Sequence, residues 1–323
     1  MSASALRPRS IIIRVQFKPR IAACSVFALA CSAVLAATLE VQPAPQPCNS
    51  APPLQSEIPG AAAGRIPASQ VAIGSRNIAF AWLGSPTDRY DHDALGSTVH
   101  AGSLHALLRQ ANGALVPVSV QVPASRVIED RVPRLADLDG DGLDEIVVVE
   151  SDLRLGSSIV VYGVQAGAAA GPAPALVERA RSPYLGTSHR WLNPVGVADF
   201  DGDGHPDIVA VTTPHIGGVL TLYRYRPPSL EPVAKMPGFA NHRFGRREQQ
   251  LSAIVTMPGK RPTVIVPAMD VRTLHALRIV DGEWREVASP TALPKRAQRM
   301  NALSSGACVL MTDGLTTQVT LHD

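Results

Sequence analysis

Between residues 78 and 321 the chain alternates short apolar runs with clusters of glycine, proline and acidic residues. The runs include Ile146-Val-Val-Val149, Ile159-Val-Val-Tyr162, Ile208-Val-Ala-Val-Thr212, Val219-Leu-Thr-Leu-Tyr-Arg-Tyr225 and Thr263-Val-Ile-Val266. Their β-branched and aromatic content favours strands on a pleated, buried surface. No long amphipathic helical pattern interrupts them, which excludes an alternating strand–helix organisation and predicts an all-β fold.

Two copies of one acidic loop reveal the larger unit. Asp137-Leu-Asp139-Gly-Asp141-Gly-Leu-Asp144-Glu145 and Asp199-Phe-Asp201-Gly-Asp203-Gly-His-Pro-Asp207 start 62 residues apart. A short strand leads into each (Pro133-Arg-Leu-Ala136 and Val195-Gly-Val-Ala198), and three strands follow, the last being Ala175-Leu-Val-Glu178 or Glu231-Pro-Val-Ala-Lys235. Four strands in about 45–60 residues is the size of a propeller blade. Copies without the acidic loop lie downstream (Thr263–Val266, Leu274–Val280, Trp284–Val287, after the basic turn Met257–Arg261) and upstream (Ile78–Trp82, Leu104–Arg109, Leu115–Val120). Ala307–Met311 and Thr317–Leu321 supply half a unit, so closure by a strand from the other end, Thr38-Leu-Glu-Val41, is expected. The predicted architecture is a β-propeller of about five, and up to seven, four-stranded blades over residues 68–323.

The acidic loops carry the clearest chemistry. Carboxylates stand at loop positions 1, 3, 5 and 9, glycines at 4 and 6 allow sharp turns, and position 7 (Leu143 or His205) can offer its carbonyl. A hard cation taking six to eight oxygens at about 2.3–2.6 Å asks for such a donor set, which points to Ca²⁺ at two sites. The EF-hand shares the opening Asp-x-Asp-x-Asp-Gly but needs a bidentate Glu at position 12 and flanking helices. Here position 12 is Val148 or Ala210, inside a strand-like run.

These loops, each followed by an apolar strand, resemble the calcium loops of FG-GAP/VCBS repeats, the blades of integrin alpha-subunit propellers and of many secreted bacterial proteins. Phe244-Gly245, ahead of a later inner strand, is similar to that family's Phe-Gly. The resemblance implies side-chain ligands Asp137, Asp139, Asp141 and Glu145 in one loop and Asp199, Asp201, Asp203 and Asp207 in the other, with carbonyls from Leu143 and His205. It also implies a structural role for the ion. Glu145 departs from the commoner Asp. The distinct motifs cover about residues 133–225.

Residues 1–37 read as a secretory signal peptide: Arg7, Arg9, Arg14, Lys18 and Arg20 precede the uncharged apolar run Ile21–Ala37, which ends in small residues. A periplasmic or secreted product is expected, with tethering through an uncleaved leader as the alternative. Removal of the leader leaves Cys48 and Cys308, and two thiols in an oxidising compartment suggest one disulfide. Residues 38–67 have the proline- and alanine-rich composition of a linker and include the possible closing strand.

Net charge is only +3 with dispersed basic residues, so nothing asks for nucleic acid. No segment after the leader is apolar enough to span a membrane as a helix. Arginines recur once per unit at Arg131, Arg190, Arg243 and Arg299, with His189 and Trp191 beside the second and His242 beside the third. Guanidinium binds carboxylate and phosphate in bidentate fashion, so these residues are the candidate ligand face. No catalytic motif accompanies them. The expected function is an exported, monomeric binding or scaffold module for a protein, an anionic or a carbohydrate ligand. A hydrolase or lyase would require His189, His242 and the arginines to converge in one pocket. A lectin would require exposed tryptophans.

Overall fold

The computed structural model describes residues 37–44, 60–167 and 173–323; the leader up to residue 36 and Cys48 lie outside them. The described residues hold no α-helix, only strands and one 3₁₀ turn at Gly60–Gly64. None of their elements is a helix long and apolar enough to cross a membrane.

Strand β1 (Thr38–Pro43) is followed by a first antiparallel meander of β2 (Ala72–Ile73), β3 (Ile78–Thr87), β4 (His100–Arg109) and β5 (Leu115–Gln121). A short strand, β6 (Arg126–Ile128), pairs with β4 on one side and with β8 on the other. The second meander comprises β7 (Arg134–Ala136), β8 (Glu145–Asp152), β9 (Gly156–Gln165) and β10 (Ala175–Arg181). The third comprises β11 (Leu192–Ala198), β12 (Asp207–Thr212), β13 (Val219–Arg226) and β14 (Ser229–Pro237). Through β6 and a parallel bridge between β10 and β14, these three join into one 13-stranded sheet that curls as a half-barrel. The fourth meander, β15 (Ala253–Val255), β16 (Thr263–Pro267), β17 (Thr273–Val280) and β18 (Glu283–Ala292), is a separate four-stranded sheet.

In the last sheet, β19 (Ala297–Leu303), β20 (Gly306–Met311) and β21 (Thr316–His322) are completed by β1. Leu39 lies opposite Leu321 and Val41 opposite Val319, so the first described strand closes the last sheet. The C-terminal unit is therefore more than the half read from the sequence. Its additional strand, β19, reads Ala-Gln-Arg-Met-Asn-Ala-Leu, too polar to stand out as an apolar run.

Alternate residues of a strand point to opposite faces, and here both faces are buried. On β8 and β9, Ile146, Val148 and Val160 pack with Ile78, Leu83 and Leu104 of the first meander. Val147, Val149, Ile159 and Val161 pack with Ile208 and Ala210 of the third. Val209 and Val211 then meet Val264 and Val266 of the fourth, whose Ile265 joins Val309, Leu321 and Leu39. Strands buried on two faces read as continuous apolar runs rather than as alternation. Each such Val, Ile or Leu contributes roughly 1.5–3 kcal/mol. The last strand of each of the first four meanders is wet on one side; on β14, buried Leu230 and Ala234 flank exposed Glu231 to Val233, where a bulge at Val233 interrupts the alternation.

Candidate functional site

Antiparallel succession puts the β7–β8 and β11–β12 connections at one end of their meanders and the β10–β11, β12–β13 and β14–β15 connections at the other. The acidic loops occupy the first end. The candidate ligand residues Arg131, Arg190, Arg243, Arg299, His189 and His242 lie toward the second.

In the first acidic loop, Gly140 and Gly142 donate their N–H groups to Asp137 Oδ1 and Oδ2 (2.8 and 3.0 Å). Asp141 N–H donates to Asp139 (3.2 Å) and Leu143 N–H to Asp141 (2.7 Å). The second loop repeats the pattern, with Gly202 and Gly204 on Asp199 (2.7 and 3.0 Å), Asp203 N–H on Asp201 (3.2 Å) and His205 N–H on Asp203 (2.9 Å). All four glycines have φ between 77 and 89°, a conformation that L side chains adopt at a cost. The side chains of Leu143 and His205 are exposed, consistent with use of the backbone alone at position 7.

One oxygen from each of Asp137, Asp139 and Glu145 lies within 4.8 Å of the others, as does one from each of Asp199, Asp201 and Asp203. Asp141 and Asp207 stand outside these tight groups. Asp207 is 2% exposed, and its Oδ2 is buried without a hydrogen-bond partner. Burial, reinforced by Asp201 and Asp203 against Arg224, pushes its carboxyl up to about 7. Glu145, buried and near Asp139, Asp141 and Asp137, is also pushed up to about 7, although Leu138 N–H donates to it (2.8 Å). These are the properties of buried carboxylates whose like-charged neighbours and lost hydration outweigh the cation or donor they have.

Two arginines that sequence reasoning missed approach the loops. Arg224 on β13 is paired with Asp201 and lies 3.8 Å from Asp203 and 3.5 Å from Asp207. Arg76 lies 2.8 Å from Asp137 and 3.4 Å from Asp144. Neither stands in a motif; only the pairing of β12 with β13 brings Arg224 to the second loop.

At the other end, the candidate ligand residues separate into packed and open ones. Arg131 is buried and donates to the carbonyls of Ala68 and Pro67 (3.0 and 3.1 Å). Arg299 lies 3.4 Å from Glu248. The partly exposed Arg190 stands where its backbone carbonyl accepts from Ser157 N–H (2.9 Å). Arg243 is half-buried at the edge of a cavity. Trp191 is buried, its indole N–H donating to the Glu129 carbonyl (3.0 Å), and Trp82 and Trp284 are also buried. The exposed tryptophan platforms required by a lectin are thus lacking.

His189 and His242 enter one aromatic cluster with Tyr90, His92, His215, Phe244 and Trp191. They do not bond to each other. His189 Nε2 lies 2.8 Å from Asp91, and His242 Nε2 lies 2.8 Å from the Arg246 carbonyl. A carbonyl only accepts, so His242 carries its proton on Nε2 and its Nδ1 accepts from His215 Nε2–H at 2.8 Å. Burial holds His242 down to about 3, with His215 adding to the effect, and His215 down to about 4, with a smaller push from His92. His92, also absent from the sequence reading, sets Nδ1 2.7 Å from the fully buried Glu129, which accepts from Ser151 as well (2.5 Å).

Cys308 is disulfide-bonded. Cys48, its expected partner, lies outside the described residues.

No protein-family model matches this chain, and a search of curated proteins finds no match.

Proposed function

We propose that the chain is an exported, calcium-stabilised five-bladed β-propeller of the FG-GAP/VCBS kind, acting as a binding module through the loop end opposite its calcium sites. Its five meanders are the blades, and β1 is the strand that closes the last of them. The observation that carries the calcium reading is the unpartnered buried oxygen of Asp207 beside the clustered carboxylates of a loop whose backbone pattern occurs twice. The donor set, all carboxylate and carbonyl oxygen, fits Ca²⁺. Asp137, Asp139, Asp141 and Glu145, and Asp199, Asp201, Asp203 and Asp207, would hold the ions, with the carbonyls of Leu143 and His205. The ion supplies positive charge to carboxylates that otherwise repel one another.

An enzymatic reading has less support. His189 and His242 are each bonded to a different partner, and His242 is buried. Export rests on the basic and apolar leader.

The test is thermal unfolding with calcium and with excess chelator, for the wild type and for Asp139→Ala/Asp201→Ala. A ligand at 100 times its Kd stabilises by about 2.7 kcal/mol, and in a domain of this size each kcal/mol moves the midpoint by about 2–4 °C. Two such sites together contribute about 5.4 kcal/mol, so chelator should lower the wild-type midpoint by about 10–20 °C and leave the double variant unmoved. A wild-type midpoint indifferent to both additions would refute the calcium sites.

A further inference from the structure

The β14–β15 connection behaves unlike an ordinary turn. It runs from the third meander to the fourth, yet Gly245 N–H donates to the carbonyl of Ala94 in the first (2.9 Å). A Cβ on Gly96 would stand 2.8 Å from the Gly245 carbonyl, so the two loops touch backbone to backbone. Beneath them, Gln249 donates to Asp130 and to Asn193 (3.2 Å each), and Asn193 donates to the Asn241 and Gln249 carbonyls (3.1 and 2.8 Å). Three meanders are tied together under this one segment, which therefore has a fixed course.

Its side chains divide by direction. Phe244 goes to the histidine cluster, against His215 and His92. Arg243, Arg246 and Arg247 line a cavity of about 640 Å³ with Glu248, with Gln298 of β19 and with Thr312 of the turn after β20. Arg247 and Glu248 also line a neighbouring cavity of about 530 Å³ that reaches Arg131 and Arg134. The acids do not neutralise this group. Asp130 is paired with Arg134 (2.7 Å) and Glu248 with Arg299 (3.4 Å). The guanidinium groups of Arg243, Arg246 and Arg247 make no ion pair or hydrogen bond within the described residues. Arg131 is held below its ordinary value by burial and next by the like charge of Arg247.

The geometry points to a binding site for a small ligand carrying two anionic groups, phosphate or carboxylate, in the cavity walled by Arg243, Arg246 and Arg247. Three guanidinium groups within five residues wall this cavity without an acidic partner of their own, and an anion entering it could take charge-assisted, bidentate hydrogen bonds from them. The volume is that of small-molecule sites, about 300–1,000 Å³. The buried amide network holds the segment before a ligand arrives, which lowers the ordering cost of binding. This inference rests on the binding-module reading and names the ligand class for its loop end.

Calorimetric titration of the purified protein, expressed from the full chain, tests it with fructose 1,6-bisphosphate as the phosphate probe and succinate as the carboxylate probe, at low and physiological salt. At least one should bind, more weakly at higher salt. The exposed pair Arg246→Gln/Arg247→Gln should weaken binding at least about tenfold, while Arg285→Gln on β18 should leave it unchanged. Preference between the probes assigns the anionic group. Failure of both to bind at about 1 mM, or equal binding by the double variant at an unchanged thermal midpoint, overturns the site. The calcium response, measured on the same samples, is a separate readout: if it is present without anion binding, only this inference falls, and if it is absent with anion binding, only the calcium sites do.

Discussion

At the scale of single residues, the paired histidines give the molecule a definite response to acid. His215 and His242 share one hydrogen bond in a buried setting, and protonating either places a charge where aromatic rings, the Arg246 carbonyl and the titratable His92 face it. Their folded-state values, about 4 and about 3, lie below the ordinary 6.5. The unfolded chain therefore binds more protons between pH 6.5 and 4, and stability falls as pH drops through that window. By pH 4.5 the loss should approach about 2–3 kcal/mol for each histidine. In the calcium-free protein Glu145 and Asp207, raised to about 7, give a slope of opposite sign, since the folded state binds the extra protons there, and the comparison is therefore made in chelator. Comparing wild type with His215→Gln/His242→Gln cancels that common contribution. The variant's denaturation midpoint should decline less between pH 7 and 4.5 than that of wild type, and equal slopes would show that the pair does not titrate on unfolding.

At the scale of elements, most strands were legible because they are buried on both faces and so form unbroken apolar runs. Ile146–Val149, Thr263–Val266 and Ala307–Met311 are such cases. What stayed hidden has a physical reason too. Strand β19 is polar, β6 spans three residues between the longer β4 and β8, and β2 spans two; none has enough apolar sequence to register. The acidic loops were legible because their ligand-bearing positions are local. Arg76, Arg224, His92 and Glu129 were not, since each is brought to its place by pairing or loop contacts across more than twenty residues. Strand β1 offers a sharp test of an element read from sequence and completed by pairing. Leu39 is buried in the core shared by the last two sheets, whereas its neighbour Glu40 is exposed. Leu39→Ala should cost about 2–3 kcal/mol in denaturant unfolding, and Glu40→Ala should stay within about 0.5 kcal/mol. Two neutral variants would mean that β1 does not close the last sheet in solution.

At the scale of the whole molecule, the two ends carry different chemistry. A strand rises about 3.3 Å per residue, so six-residue β12 separates its acidic loop from its opposite end by about 20 Å. That exceeds the Debye length of about 8 Å at physiological salt, so charge at one end is largely screened from the other. The acidic loops and the arginine cavity should therefore communicate through stability rather than through direct electrostatics. The proposed calcium ions fix the ends of β8 and β12, while the cavity is held by the amide network of Asn193, Asn241 and Gln249. It follows that Asp139→Ala/Asp201→Ala, assayed well below its own melting temperature, should bind fructose 1,6-bisphosphate or succinate within about twofold of wild type, despite having lost its calcium response. The reciprocal holds for Arg246→Gln/Arg247→Gln, whose midpoint should still fall on chelation. A loss of anion affinity of about tenfold or more in the aspartate variant, with its fold intact by circular dichroism, would instead reveal a coupling of about 1.4 kcal/mol between the two ends, and the meanders would then be the path that carries it.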